Sequence, residues 1–240
     1  MKKRIEFLPA TLEERKKFYE KEFSIKKFKQ WLKKNNLPIP QICAIDAGTE
    51  TKITLKKEWK NTLFYFPFSE LKEKIKKYCP EDVYYDRNQY KNPKKVLKTL
   101  NFNSWIAQEL VFDIDADNLP GCECKNNQKV CYRCLKIAYK SALNMKLFLQ
   151  RKGFKKIGIV YSGRGFHIHV FDKNAFRLTI KKREKLNKEL ADFPIDEWVS
   201  RGYIKLIRMP YTLNGLVSKE CLPIDRGLSL MKNFQPTDTK

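Results

Sequence analysis

No apolar run in the sequence approaches the ~18 residues of a membrane-spanning helix, and residues 1–30 are too charged for a secretory leader. Internal repeats, low-complexity tracts and Gly/Ser linkers are absent. Histidine is almost missing, with 2 in 240 residues. Carboxylates are the minority charge: 27 Asp and Glu stand against 50 Lys and Arg, a net charge of +23 and a pI near 9.7. These absences exclude a membrane span and a disulfide-rich secreted scaffold. They lead us to expect a soluble, cytoplasmic protein of one good-sized domain, with room for a small insert. Hydrophobic residues make up 42% and aromatics 13%, enough for a core, so disorder does not explain the charge. A +23 balance reads either as a Lys-rich solvated surface or as the footprint of a polyanion, most often nucleic acid.

Seven cysteines are present, and Cys43, Cys79 and Cys221 stand alone, as ordinary buried thiols do. The other four, Cys122, Cys124, Cys131 and Cys134, fall within GCECKNNQKVCYRC. Two close pairs across a short loop offer four thiolates to one tetrahedral zinc ion. Four sulfurs close the coordination shell, whereas a catalytic zinc keeps an open position, so the expected role is structural. Chance clustering and a redox role are the competing readings.

Apolar spacing predicts a helix over 11–35, ended by Asn35-Asn36 and two prolines. Strands are predicted at 41–48 and 61–68, then a helix over 69–78 capped by Ser69. ELVFDIDAD (109–117) reads as a strand, 135–152 as an amphipathic helix, and 155–162 and 166–172 as strands. A basic helix over 176–190 and a strand over 202–209 complete the pattern. This alternation predicts an α+β (mixed α/β) domain with a mixed or antiparallel sheet core, flanking helices and the cysteine loop inserted after the Asp-bearing strand.

Three segments carry chemistry. In VFDIDAD, strand periodicity places Asp113, Asp115 and Asp117 on one face and Phe112, Ile114 and Ala116 on the other. Neighbouring carboxylates repel each other unless a cation sits between them, and Mg²⁺ or Mn²⁺ favours such oxygen ligands. The bland alternative is an acidic strand end, with Asp117 opening the Pro-Gly turn. In YSGRGFHIHVFD, a Gly-flanked turn gathers Ser162, Arg164 and backbone amides, a combination suited to phosphate. His167 and His169 follow on one face of the returning strand. His167 reads as a phosphate-orienting group, and His169 more as a satisfied structural histidine. In PIDEWVSRGYIKLIRMPYTLNG, Asp196 precedes a strand with Lys205 and Arg208, and Asn214 sits in a Gly-bounded loop.

Together, the paired Asp, the Cys cluster directly after it, the Ser-Gly-Arg-Gly-x-His turn and the Asp before a Leu-Ile-Arg-x-Pro segment resemble the catalytic small subunit of archaeal and eukaryotic DNA primases. The resemblance runs from about Glu22 to the end of the chain. It implies a primase catalytic domain over 1–240 and a zinc knuckle over 118–136, while the few residues after the third motif lead us to expect no large C-terminal helical domain. It implies that Asp113, Asp115 and Asp196 hold two Mg²⁺ or Mn²⁺ ions, and that Ser162, Arg164, His167, Arg208 and Asn214 line the nucleoside triphosphate. The implied activity is RNA primer synthesis on single-stranded DNA, usually beside a primase large subunit. Two departures stand out. The family's usual His, six residues after the basic residue, is Asn214 here, which can hydrogen-bond but carries no charge. Many members also continue into a further helical part. Two other readings are a primase-polymerase of a repair system or mobile element using deoxynucleotides, and a non-catalytic zinc-bearing nucleic-acid-binding protein.

Overall fold

The computed structural model describes residues 8–48, 63–116, 119–120 and 131–224. Helix α1 (Leu12–Lys21) starts in a capping box, in which the Thr11 side chain accepts from Glu14 N while Glu14 accepts from Thr11 N at 2.8 Å. The single helix predicted over 11–35 is two. Ser24 is extended and its hydroxyl accepts from Lys27 N, so it opens α2 (Ile25–Lys34) and ends the first run. Strands β1 (Ile42–Asp46) and β2 (Leu63–Pro67) pair antiparallel. Ser69 does not cap the next helix. It lies inside the 3-10 turn Phe68–Glu70, and α3 (Leu71–Tyr78) begins after it without a side-chain cap.

The stretch between Cys79 and Gln108, for which the sequence predicts no element, holds β3 (Asp82–Asp86), β4 (Asn88–Tyr90), α4 (Pro93–Thr99) and β5 (Trp105–Gln108). β3 hides from a periodicity argument because Asp82 and Asp86 are buried beside Val83 and Tyr85. Then follow β6 (Leu110–Asp115), α5 (Tyr132–Arg151), β7 (Ile157–Tyr161) and β8 (Gly165–Val170), all close to expectation. The basic helix predicted over 176–190 is interrupted. Ala175–Arg177 is a 3-10 turn, Leu178 is extended, and Thr179 caps α6 (Ile180–Glu189). The strand predicted over 202–209 shrinks to β9 (Leu206–Arg208). Before it lies α7 (Glu197–Arg201), ended by Gly202 at φ +98°, a conformation that favours glycine. Short strands β10 (Leu213–Asn214), β11 (Lys219–Glu220) and β12 (Leu222–Pro223) finish the described chain.

Among the described residues every strand pairing is antiparallel. The larger sheet runs β11-β10-β3-β1-β2, with β9 also beside β3. A smaller sheet runs β12-β7-β8-β6, and β4-β5 form a separate pair. The fold is α+β, with antiparallel sheets and flanking helices. On one face of the smaller sheet, Leu110, Phe112 and Ile114 pack against Ala138, Ala142 and Met145 of α5. On the other face, Val111 and Val160 join Phe28, Trp31, Val83 and Tyr85 in a second core. No helix among the described residues is long and apolar enough to cross a membrane. Phe112 is fully buried between sheet and helix. Phe112→Ala should therefore lower stability by ~3–5 kcal/mol, read as a shift in the urea midpoint with an unchanged slope.

Candidate active site

The polar face of the smaller sheet is set by register. Across β6 and β8, Asp113 pairs with His167, Asp115 with Gly165 and Val111 with His169; on the other side of β8, His167 faces Val160. Alternation then points Asp113, Asp115, His167 and His169 to the side away from α5. Gly165 lies so close to β6 that a Cβ on it would stand 2.3 Å from the Ile114 carbonyl oxygen, so only glycine permits this approach.

Asp113 carries a perturbed carboxyl. Burial, then the charges of Asp115 and Asp196, push its carboxyl well above the ordinary carboxylate range. Its Oδ1 is buried with no hydrogen-bond partner. Asp115 is held by Arg164 at 2.7 Å. The His167 Nε2 lies 3.6 Å from Asp113 Oδ1, too far for a hydrogen bond. Burial, then the neighbouring His169 and three arginines, keep His167 neutral by lowering its pKa well below the usual histidine value. It therefore adds no charge to the cluster.

Asp196 reaches the site through two backbone devices. Its N–H donates to the Asp113 carbonyl at 2.9 Å, and its Oδ1 accepts from Trp198 N at 2.9 Å as the cap of α7. Arg87, itself buried, fastens this helix to the sheet, donating to Glu109 O and Val199 O at 2.8 Å each and to Ile204 O. Glu109 also accepts from Tyr85 at 2.8 Å and meets His169 Nδ1 at 2.9 Å. His169 is thus buried and bonded through Nδ1, while its Nε2 has no hydrogen-bond partner.

The Ser162–Gly165 turn is closed by its own bonds. Ser162 N donates to Gly165 O at 3.0 Å, and Gly165 N donates to Ser162 Oγ at 3.1 Å. Gly163 sits at φ +102° against the Asn214 side chain. Asn214 Nδ2 donates to Ser162 O at 2.8 Å, bridging from the larger sheet to the smaller. Arg208 is buried in an ion pair with Asp82 and lies over the Tyr84 ring at 5.3 Å. Burial opposes its charge, but Asp82 outweighs that and holds the guanidinium protonated. Asp82 also accepts from Tyr84 at 2.9 Å and from Gly215 N at 3.2 Å.

The structure thus gathers Asp113, Asp115, Asp196, Arg164 and His167, sets Ser162 and Asn214 as the adjoining turn and its strut, and places Arg208 behind them in a pair with Asp82. Sequence reasoning missed Asp82, Arg87 and Glu109. The one available signal was Glu109 directly before the Asp strand. Cys131 and Cys134 stand at the start of α5 with sulfurs 3.3 Å apart. Cys122, Cys124 and Asp117 lie outside the described residues. Among the described residues, no three of His, Cys, Asp and Glu are already drawn together tightly enough to hold an ion.

A family profile described as DNA primase small subunit matches residues 112–194, the span from the Asp strand to just before Asp196. A DNA primase small subunit-like protein of Archaeoglobus fulgidus is 35% identical over 238 residues, covering 90% of this chain and 84% of that protein. The chain belongs to the DNA primase small subunit family. The primase small subunit PriS of Thermococcus sibiricus is 34% identical over 216 residues, and that of Pyrococcus furiosus 33% over 179. These alignments take in 85% and 74% of this chain but only 59% and 48% of the two PriS subunits.

The Asn214 bridge yields a direct test. Asn214→Ala removes one inter-sheet hydrogen bond, so stability should fall by about 1 kcal/mol. Amide exchange at Gly163–Gly165 should speed up more than exchange in β6. Unchanged exchange in the turn would contradict a strut role.

Proposed function

We propose that this chain is the catalytic subunit of a DNA primase, joining nucleoside triphosphates into short RNA primers on a single-stranded DNA template. Its relatives are named primase small subunits. The observation that carries the reading beyond their names is the unpartnered, buried Asp113 oxygen beside Asp115 and Asp196. Carboxylates so crowded are relieved by a divalent cation, and an all-oxygen donor set fits Mg²⁺ or Mn²⁺. Asp113, Asp115 and Asp196 would hold two such ions. When bound, the ions neutralise charge on the transferred phosphate and make the attacking 3′-hydroxyl more acidic.

The remaining work falls to the chain's own side chains. Arg164 exchanges Asp115 for triphosphate oxygens, where a planar guanidinium binds two at once. Neutral His167 offers one N–H donor without adding charge. Ser162 and the strut from Asn214 keep the turn in shape, and the Arg208–Asp82 pair supports it from the larger sheet. The diffuse Lys surplus follows the template backbone without reading sequence. A primase large subunit is the expected partner. Cys122, Cys124, Cys131 and Cys134 would hold a structural Zn²⁺.

Metal-dependent incorporation of ribo- or deoxynucleotides on a poly-pyrimidine template, with and without a large subunit, tests the activity. Asp113→Asn/Asp115→Asn should lower it by on the order of 10³-fold; retained incorporation would overturn the site. Stability should move the other way. With its pKa raised, Asp113 binds a proton more tightly in the folded chain than in the unfolded one, so it destabilises increasingly as pH climbs past ~3.9. Metal-free Asp113→Asn should therefore melt above the wild type at pH 7, with the gap closing near pH 4. Mn²⁺ should raise the melting temperature of the wild type only.

Zinc has a separate readout. Cys131 Sγ accepts from Cys134 N as the cap of α5, and serine is an equally good cap. A lower melting temperature in Cys131→Ser, matched by chelation of the wild type, therefore reports the ion rather than the cap. An unchanged curve would sink the zinc assignment.

A further inference from the structure

A cavity of about 800 Å³ opens at the end of β8 away from the Ser162–Gly165 turn. β8 has six residues, so the two ends lie ~20 Å apart. Lys152, Lys173, Arg177 and Lys182 line the cavity, and no carboxylate does. The acids near these residues in the chain are already engaged, Glu184 by the Tyr203 hydroxyl at 3.3 Å. Glu189 pairs with Lys152 at 2.5 Å, and Asp172 accepts from the backbone N–H groups of Lys155 and Lys156. Among the described residues, Lys173, Arg177 and Lys182 have no acidic partner. Like charges gathered around one concavity with low-dielectric walls repel each other and focus a positive potential into it. An anion relieves both effects.

The walls narrow the choice of anion. Phe154 packs at the border of the first core and Phe176 at the border of the second. Both are only partly covered and line the cavity, so the concavity lies where the two cores meet. Amides from Asn36 and Asn174 add neutral hydrogen-bonding groups. Cations interleaved with flat aromatic faces suit a chain that alternates phosphates with bases, because each base stacks and each phosphate pairs. An acidic peptide would use the cations and leave the rings unexplained.

We propose that this groove is a second nucleic-acid site, which holds a single-stranded segment remote from the carboxylate cluster. Its phosphates lie on Lys173, Arg177 and Lys182, and a base lies on Phe176. The inference rests on the nucleic-acid-binding part of the proposed function and adds to it a place on the surface.

The test measures the affinity of the full chain for a 20-residue oligothymidylate across a salt series. Lys173→Glu/Arg177→Glu/Lys182→Glu should weaken binding about tenfold and flatten the slope of log K against log salt by ~2, from ~0.7 per lost phosphate contact. The Michaelis constant for nucleotide on a pre-annealed primer should stay unchanged. If the reversal variant melts early, Lys173→Gln/Arg177→Gln/Lys182→Gln removes the charge without adding carboxylates, and should flatten the slope equally. Phe176→Leu keeps apolar volume but removes the flat ring. It should weaken oligothymidylate while sparing an abasic phosphodiester of equal length. A wild type that binds no oligothymidylate overturns the nucleic-acid reading itself. A wild type that binds, with variants that match it in affinity and slope, overturns only the groove. Loss of large-subunit binding with intact DNA affinity overturns it too, and assigns the patch to a protein partner.

Discussion

The antiparallel pairing of β6 with β8 is the constraint on which the rest depends. Its register sets Asp113 against His167 and Asp115 against Gly165. It also sends Leu110, Phe112 and Ile114 into the core beneath α5. A slip of one residue would exchange those sets, burying carboxylates under the helix and turning the core outwards. Apolar packing on one face therefore enforces the chemistry of the other. Gly165 makes the approach possible, and Asp196 is aligned by bonding to the backbone of the same strand.

The larger sheet acts on this pairing from the side. Buried Arg208 and Asp82 neutralise each other, and Asn214, opposite Asp82 in register, extends its amide to the turn. Arg87 serves the other side by collecting carbonyls from Glu109, Val199 and Ile204. Removing one partner of a buried charged network strands the other, so truncating either one costs stability. A chain of net charge +23 thus places several arginines inside, as structural donors.

The sequence reveals what is local and periodic. Asp113, Asp115, Ser162, Arg164 and His167 lie on two strands and one turn whose alternation can be read directly, and those strands stand where they were predicted. Asp196 was recognised through resemblance to the primase family, because its closeness to Asp113 is made by one long-range backbone bond. Breaks at Ser24 and Leu178 were missed because apolar spacing continues across them, while a cap or an extended residue ends the helix. β3 was invisible for a different reason. Its buried acids look like surface until Arg208 and Tyr90 are known to face them. Asn214 is read as a nucleotide ligand through the resemblance, where the family has a His; the strut it makes to Ser162 depends on how two sheets meet.

The bridge between Arg164 and Asp115 has one further consequence. Each group occupies the place that a ligand of opposite charge would take, so Arg164 and Asp115 satisfy each other at rest. A cation held by Asp115 would free the guanidinium for an anion, and an anion held by Arg164 would free the carboxylate for a cation. Thermodynamic linkage makes this help mutual and equal in size. With the ligands proposed above, such a site would favour a metal and a polyphosphate arriving as a neutralised pair over either one alone.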